Sequence, residues 1–215
     1  IIDIGKGTFT KKAVKEIERQ KKFIFRLDVE FEISLHSGSN LKSFYIIPED
    51  SSVASMFSPL TGTLGAILGE GSGAVYNSDE EAWFGSLIYI DVKSGYWLIM
   101  LEEANFSYYG YPVDPGLEYS LHAGANLISF PSPGSVGISE GIPDEIENQF
   151  LAILGEGIAT VNIDGIWYGS LLTFESTKGY WIKVQSELSF SYDLTNLSED
   201  ATSRLSTAKT PVGYA

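Results

Sequence analysis

One stretch occurs twice in this chain, first as Ser34-Leu35-His36-Ser37-Gly38-Ser39-Asn40-Leu41-Lys42-Ser43-Phe44 and again, 86 residues later (34 to 120), as Ser120-Leu121-His122-Ala123-Gly124-Ala125-Asn126-Leu127-Ile128-Ser129-Phe130. A second block, Ala66-Ile67-Leu68-Gly69-Glu70-Gly71, recurs unchanged at 152–157 with the same offset. Three later blocks recur at an offset of 84: those at 83–87, 95–97 and 106–108. Five blocks in the same order predict two tandem copies of one unit of about 80 residues.

The duplication predicts how the chain is divided. We expect a basic N-terminal leader at residues 1–26, a first repeat at 27–112, a second repeat at 113–193, and a polar C-terminal tail or linker at 194–215. The positions kept in both copies are mostly glycines, aromatics and aliphatics, the residue types that supply tight turns and a core. We therefore expect two homologous subdomains that pack against each other about a pseudo-twofold axis.

The local pattern predicts strands. Runs rich in β-branched and aromatic residues lie between clusters of Gly, Ser, Asn and Asp, which is typical of short strands joined by turns. Asp164-Gly165 supplies the residues that a tight hairpin turn of type I′ requires. The predicted fold is mostly β with short helices. The predicted strands are Leu27–Leu35, Leu41–Ile47, Gly73–Tyr76, Tyr96–Leu101 and Asn105–Tyr109, then Glu118–Leu121, Leu127–Phe130, Ala159–Ile163, Tyr180–Val184 and Leu188–Tyr192.

Three segments are predicted to contain helices. One apolar stripe follows i, i+3, i+4, i+7 and predicts a short helix between Val53 and Leu60. A similar stripe predicts a second helix from Ile142 to Phe150, with Pro143 in its first turn. A third helix is expected in the leader, over Thr10 to Lys22.

Composition and charge narrow the range of partners. The chain is 44% hydrophobic and 20% charged, as is usual for a sequence that folds around a core. Its net charge of −14 is uneven, because eight Lys and Arg against three Asp and Glu make residues 1–26 carry +5 and leave −19 for the rest. An acidic body repels phosphate backbones, so we expect no nucleic-acid partner. The absence of Cys excludes disulfides and thiol nucleophiles, and no apolar run is long enough to span a bilayer.

The openings and closings of the repeats resemble a known type of module. Gly124-Ala125-Asn126-Leu127-Ile128-Ser129-Phe130-Pro131 and Lys178-Gly179-Tyr180-Trp181-Ile182-Lys183 look like the "GWNLISLP" and "GKGYWIK" motifs of a tandem module in large bacterial extracellular and surface proteins. The resemblance covers about residues 33–193. The match is partial, since position 125 is Ala instead of Trp and the first copy has Ser39 and Lys42. The resemblance implies a non-catalytic segment of a larger secreted protein, consistent with a chain that begins Ile1-Ile2-Asp3.

Two pairs of polar residues occupy equivalent positions and are candidates for chemistry. His36 and His122 could approach the pseudo-twofold axis and form a two-histidine metal site or a pH-sensitive interface. Alternatively, each histidine closes its own turn through a backbone hydrogen bond. Glu70 and Glu156 could act as the carboxylate pair of a glycoside hydrolase. Alternatively, each Glu accepts backbone N–H bonds and pins its own Gly-Glu-Gly turn, the reading that we favour because duplicated sites have similar environments.

Two further groups are candidates for binding. One loop contains four side chains with oxygen atoms that could bind a cation: Asn77, Asp79, Glu80 and Glu81. Ca²⁺ is therefore the one cofactor that the sequence suggests. The alternative interpretation is a solvated acidic turn that binds no metal. Trp83 and Trp167 follow loops, and we expect them to be exposed and able to stack on sugars. The other two tryptophans, Trp97 and Trp181, lie in strand patterns and are expected in the core.

The leading functional expectation is a non-catalytic structural or adhesive module, located outside the cell or on its surface. Polysaccharide or another protein is the expected partner. The alternatives are a carbohydrate-binding module that uses the duplicated Trp regions, a glycoside hydrolase that uses Glu70 and Glu156, and a phage virion protein.

Overall fold

The described part of the chain, residues 28–198 of a computed structural model, has short antiparallel strands as its main regular structure. This confirms the predicted mostly β fold with short helices. The strands are β1 (Val29–Leu35), β2 (Gly38–Lys42), β3 (Ile46–Ile47), β4 (Leu64–Gly69), β5 (Ser72–Asn77), β6 (Ala82–Gly85), β7 (Tyr96–Met100), β8 (Ala104–Pro112), β9 (Tyr119–Leu121), β10 (Gly124–Ile128), β11 (Ser135–Gly137), β12 (Phe150–Leu154), β13 (Ala159–Ile163), β14 (Ile166–Gly169), β15 (Thr173–Glu175), β16 (Tyr180–Val184) and β17 (Leu188–Phe190). The α-helices are α1 (Val53–Met56) and α2 (Ile138–Gly141), and single 3-10 turns lie at Ser58–Leu60 and Glu147–Gln149.

Two five-stranded sheets organise the molecule. Sheet I, with strand order β2-β7-β4-β5-β6, belongs to the first half (residues 28–112), and sheet II, with order β10-β16-β12-β13-β14, belongs to the second half (residues 113–198). The two orders correspond strand for strand. Smaller ladders accompany them, namely β1-β8-β3 in the first half and the pairs β9-β17 and β11-β15 in the second.

Each half buries its own apolar side chains. Strand β1 shows how, because Phe31, Ile33 and Leu35 are buried while the alternating Glu30 and Glu32 are exposed, as the sequence pattern predicts. One buried cluster extends from β1 to β8 and the other from β9 to the residues after β17. Each fully buried large apolar side chain contributes about 1.5–3 kcal/mol.

The strand predictions miss six strands of the described part of the chain: the central β4 and β12, the edge strands β6 and β14, and the pair β11 and β15. Strands β4 and β12 lie between two neighbours in each sheet, yet both are rich in Leu and Ala and have no alternating strand pattern. Pairing on both sides and burial of Ile67 and Ile153 outweigh that weak local preference. The predicted strand Leu41–Ile47 is in fact two strands, β2 and β3, which belong to different sheets.

The helix predictions are confirmed once and wrong once. Val53 and Met56 are buried in α1, whose N-terminus is capped by the Ser52 hydroxyl, and a 3-10 turn follows it. The helix expected from Ile142 to Phe150 does not form. Ile142 is extended, since a following proline disfavours helical geometry, and the short helix α2 ends before it. The leader helix over Thr10–Lys22 lies outside the described residues.

The hairpin and tail predictions have mixed outcomes. The Asp164-Gly165 turn is confirmed, because both residues have positive φ (53° and 84°) and the flanking Ile163 and Ile166 pair. The expected polar tail begins as part of the second half, since Leu194 and Leu197 pack against its core. Within residues 28–198, no helix has the length and apolar character needed to cross a bilayer.

The repeated block Trp83-Phe84-Gly85-Ser86-Leu87 contains a glycine that has no space for a side chain, and the same holds for the equivalent Gly169. A Cβ on Gly85 would lie 2.1 Å from the Gly73 carbonyl oxygen, and the equivalent atom on Gly169 would lie 2.1 Å from that of Ala159. The carbonyl of Gly73 also accepts the N–H of Leu87 at 3.0 Å. Glycine is therefore required where this strand crosses its neighbour.

We expect Gly85→Ala to lower the free energy of unfolding by about 3 kcal/mol or more, because backbone atoms would have to move. Gly116→Ala is the matched control, since Gly116 is exposed and its Cβ would meet only a side-chain oxygen of Asp114 at 3.3 Å. Urea unfolding measures both. Equal stability of the two variants would contradict the steric explanation.

Candidate functional site

The two histidines begin the turns that join β1 to β2 and β9 to β10. In the first turn, Nδ1 of His36 lies 2.8 Å from the carbonyl oxygen of Ser37. The Asn40 side chain closes the same turn, accepting the N–H of His36 at 3.0 Å and donating to its carbonyl at 2.7 Å. His122 and Asn126 make the same bonds in the second turn. Each histidine ring therefore lies within hydrogen-bonding distance of a main-chain carbonyl of its own turn.

The other ring nitrogen of each histidine reaches the opposite half. Nε2 of His36 lies 2.6 Å from Oε1 of Glu156, and Oε2 of that carboxylate accepts the N–H of Leu41 at 2.8 Å. Nε2 of His122 lies 2.6 Å from Oε1 of Glu70, whose Oε2 accepts the N–H of Leu127 at 2.7 Å. We call each set of three residues a clip: clip A is His36–Glu156–Leu41 and clip B is His122–Glu70–Leu127.

The clips correct the prediction for the glutamates. Each Glu was expected to pin its own Gly-Glu-Gly turn, but each carboxylate binds the turn and first strand of the other half. Residues 120 positions apart meet in clip A. Local spacing cannot predict such a contact. The duplicated motifs were the one available signal, because both partners of the contact are kept in both copies.

Both clips have the electrostatics of ion pairs. Hydrogen bonds to the Ser37 carbonyl and to Glu156 raise the pKa of His36, and bonds to the Ala123 carbonyl and Glu70 raise the pKa of His122. Burial acts to raise the pKa of Glu156, but its bonds with His36 and the Leu41 N–H outweigh burial and lower it. Both glutamates are about one-third exposed (30% and 37%), so these pairs are screened by solvent.

Two glycines lie where the halves meet. A Cβ on Gly95 would lie 3.3 Å from Cα of Gly179, and the converse distance is also 3.3 Å. The N–H of each glycine donates to the main chain of the other half, at Leu127 and Leu41 respectively, with distances of 3.2 and 3.4 Å. The main chains cross here with no space for a side chain, which explains the glycine of both Gly-Tyr-Trp motifs.

Two serines reinforce this crossing. The Ser43 hydroxyl donates to the carbonyl of Lys178 at 2.7 Å, and the Ser129 hydroxyl donates to that of Val92 at 2.7 Å. The N–H groups of the same serines donate to the opposite half as well, to Thr177 and Lys93. Bonds of β-sheet type therefore join the halves beside the clips.

The tryptophans are arranged differently from the prediction. Trp83 and Trp167 are half-buried and pack against the two cores, and the indole N–H of Trp167 donates to Glu147 at 2.7 Å. Trp97 and Trp181 are also half-buried and were expected in the core, but they alternate with the buried residues of β7 and β16. They lie on the outer faces of sheets I and II, since neighbouring residues of a strand point to opposite faces.

The outer faces of both sheets are apolar. In sheet I, Phe84 pairs with Val75 in a cross-strand row, and both side chains are about half exposed (49% and 55%). In sheet II, Tyr168 (53% exposed) pairs with Val161 on the corresponding row. Cross-strand partners lie on one face. Each sheet therefore presents an exposed aromatic ring, which the sequence pattern did not single out.

The acidic loop is a tight hairpin turn. Asn77 Oδ1 accepts the N–H groups of Asp79 and Glu80 at 2.9 and 3.2 Å, so this oxygen caps the turn. The three acidic side chains, Glu81 included, are exposed. Across residues 28–198, no three His, Asp or Glu side chains are grouped closely enough to hold a metal ion.

Comparison of the chain with family models, with curated proteins and with solved structures finds no match.

We expect Gly95→Ala to cost about 1–3 kcal/mol, because its Cβ would lie 2.9 Å from the carbonyl oxygen of Ile128. Gly65→Ala in the same sheet is the control, since its nearest contact is the flexible Leu101 side chain at 3.2 Å. Thermal unfolding compares the two. If Gly95→Ala is as stable as Gly65→Ala, the close crossing of the halves is not a constraint.

Proposed function

We propose that this chain is a non-catalytic structural module of a larger bacterial extracellular or surface protein, in which it acts as a spacer or display platform. The observation that carries the proposal is the use made of the duplicated polar residues. His36, His122, Glu70 and Glu156 are the best candidates for chemistry, and each is engaged in holding one half to the other.

The clips argue against a hydrolase. A general acid and a nucleophile need carboxylates in different environments, whereas Glu70 and Glu156 have the same partners. Both oxygens of each carboxylate are already within bonding distance of a histidine nitrogen and a main-chain N–H. A substrate would have to displace bonds that stabilise the module.

The way in which the two halves are joined is compatible with a spacer. Each half has its own core, and the main-chain crossing at Gly95 and Gly179 and the two clips join them. A module joined in this way resists bending at its centre. The apolar outer faces would then supply the adhesive contacts, since exposed apolar patches commonly mark interaction sites.

Carbohydrate binding is the second candidate, and the exposed aromatic rings favour it. The rings available for stacking are those of Phe84 and Tyr168, because Trp83 and Trp167 face the cores. Aromatic faces of this kind stack on the apolar faces of sugars. Any sugar site would therefore lie on the outer face of sheet I or II.

We expect Glu70→Gln and Glu156→Gln each to lower the free energy of unfolding by at most about 1 kcal/mol, because a partly exposed, solvent-screened set of hydrogen bonds loses one charged acceptor. Glu32→Gln, at an exposed position of β1, is the control and should be neutral. Chemical unfolding measures stability, and a panel of polysaccharides measures hydrolysis. Hydrolysis by the wild type that disappears in either clip variant, with stability unchanged, would establish an enzyme instead.

We expect no change in tryptophan fluorescence when the purified chain is titrated with the same polysaccharides, with Ca²⁺ or with EDTA. A reproducible change that is lost in Phe84→Ala or Tyr168→Ala would replace the spacer by a binding module. Glu32→Gln is the control, because Glu32 is exposed on β1, outside sheets I and II, and its substitution keeps all four tryptophans. Loss of the change in EDTA would point to the loop at Asn77–Glu81.

A further inference from the structure

The clips hold each histidine between two oxygen atoms. Nδ1 of His36 lies 2.8 Å from the Ser37 carbonyl and Nε2 lies 2.6 Å from Glu156. For His122 the corresponding distances, to Ala123 and Glu70, are 2.9 and 2.6 Å. A carbonyl and a carboxylate only accept hydrogen bonds, and a neutral imidazole has a single N–H to donate. Both bonds form together when the ring is an imidazolium.

The two clips have different electrostatic surroundings. Lys42 follows Leu41 in clip A, is half-buried, and acts on both Glu156 and His36. The residue equivalent to Lys42 in clip B is Ile128, which has no charge. Lys42 repels the imidazolium of clip A and attracts its carboxylate, so it favours loss of the His36 proton and offers Glu156 another cation.

We infer that the clips form a pH-sensitive joint between the two halves, in which clip A loosens before clip B as the pH rises. The joint loosens without separating the halves. The main-chain bonds at Ser43 and Ser129 carry no titratable group and persist. The inference concerns the rigidity of the module and does not depend on its proposed role as a spacer.

The charged groups around the clips are few. The charges of Glu156 and Lys42 both act on the pKa of His36. Lys42 is itself close enough to Lys178 for their charges to interact. Lys178 pairs with Glu175 at 2.8 Å, so its charge is partly balanced. Within residues 28–198, Glu70 is the charged side chain that acts on His122. Desolvation lowers the pKa of His122 in clip B, but no positively charged side chain acts on it there as Lys42 does in clip A.

The direction of the pH effect follows from the two types of group. The pKa of both histidines is raised above the ordinary 6.5, so their contribution is complete below pH 6.5 and is lost as the pH rises through the folded-state value. The pKa of Glu156 is lowered from 4.5, so its contribution is present above pH 4.5 and is lost as the pH falls through the folded-state value. The joint is therefore tightest between about pH 4.5 and 6.5.

Histidine titration by NMR tests the joint directly. The full chain has two histidines, so the ring Cε1–H region contains two signals, and His36→Gln assigns them. We expect both midpoints above 6.5, with that of His122 higher. Glu156→Gln should lower the midpoint of His36 alone, and Glu70→Gln that of His122 alone. Histidines that act only within their own turns would not respond to a residue of the other half.

Lys42→Ile tests whether Lys42 causes the difference between the two clips, because it gives clip A the residue that clip B has at the equivalent position, Ile128. It should raise the midpoint of His36 toward that of His122 and leave His122 unchanged. Lys42→Met also removes the charge but keeps an unbranched side chain, so it replaces Lys42→Ile in the experiment if that variant folds poorly. Added salt should reduce the difference between the two histidines in the wild type, because it screens the Lys42 charge.

Two results would overturn the inference. Midpoints at or below 6.5 in the folded wild type would mean that the clips do not hold imidazolium ions. An unchanged His36 midpoint in both Lys42 variants would remove the predicted order of release. As an independent measure, the decline in wild-type unfolding temperature above pH 6.5 should be lost in the double variant Glu70→Gln/Glu156→Gln, and persistence of the decline would count against the joint.

Discussion

The structure depends on the close crossing of two main-chain segments, one at Gly95 and one at Gly179. Because neither glycine has a side chain, each backbone comes near enough to donate its N–H to the opposite half. That approach brings the Gly-Glu-Gly turn of one half within reach of the histidine turn of the other. The clips are thus a consequence of the crossing, and they add charge-assisted bonds to it.

This arrangement explains the few polar residues that are kept in both copies. Asn40 and Asn126 shape the histidine turns, and Ser43 and Ser129 bond across the junction. The hydrogen bonds of these residues are made within the protein, either inside the histidine turns or between the two halves.

The two sheets are equivalent in strand order but differ in detail. The position of Lys42 in the first half is occupied by Ile128 in the second. The indole of Trp167 bonds to Glu147, whereas Trp83 packs edge-on against Tyr76 at a centroid distance of 5.4 Å. The two halves thus share a strand order but differ in their side-chain contacts, and the unequal surroundings of the two clips are the clearest example.

The sequence alone predicted the β class, the alternating strand β1 and the Asp164-Gly165 turn, because these depend on local periodicity and turn chemistry. It also showed that the two histidines, and likewise the two glutamates, occupy equivalent positions. It did not predict strands β4 and β12, whose Leu- and Ala-rich segments become strands only when neighbours pair on both sides. It also placed Trp97 and Trp181 in the core, since a strand pattern does not reveal which face is covered. Above all, it could not determine that each glutamate serves the other half. Contacts between residues far apart in sequence are set by the packing of the two halves, and only the tertiary structure decided them.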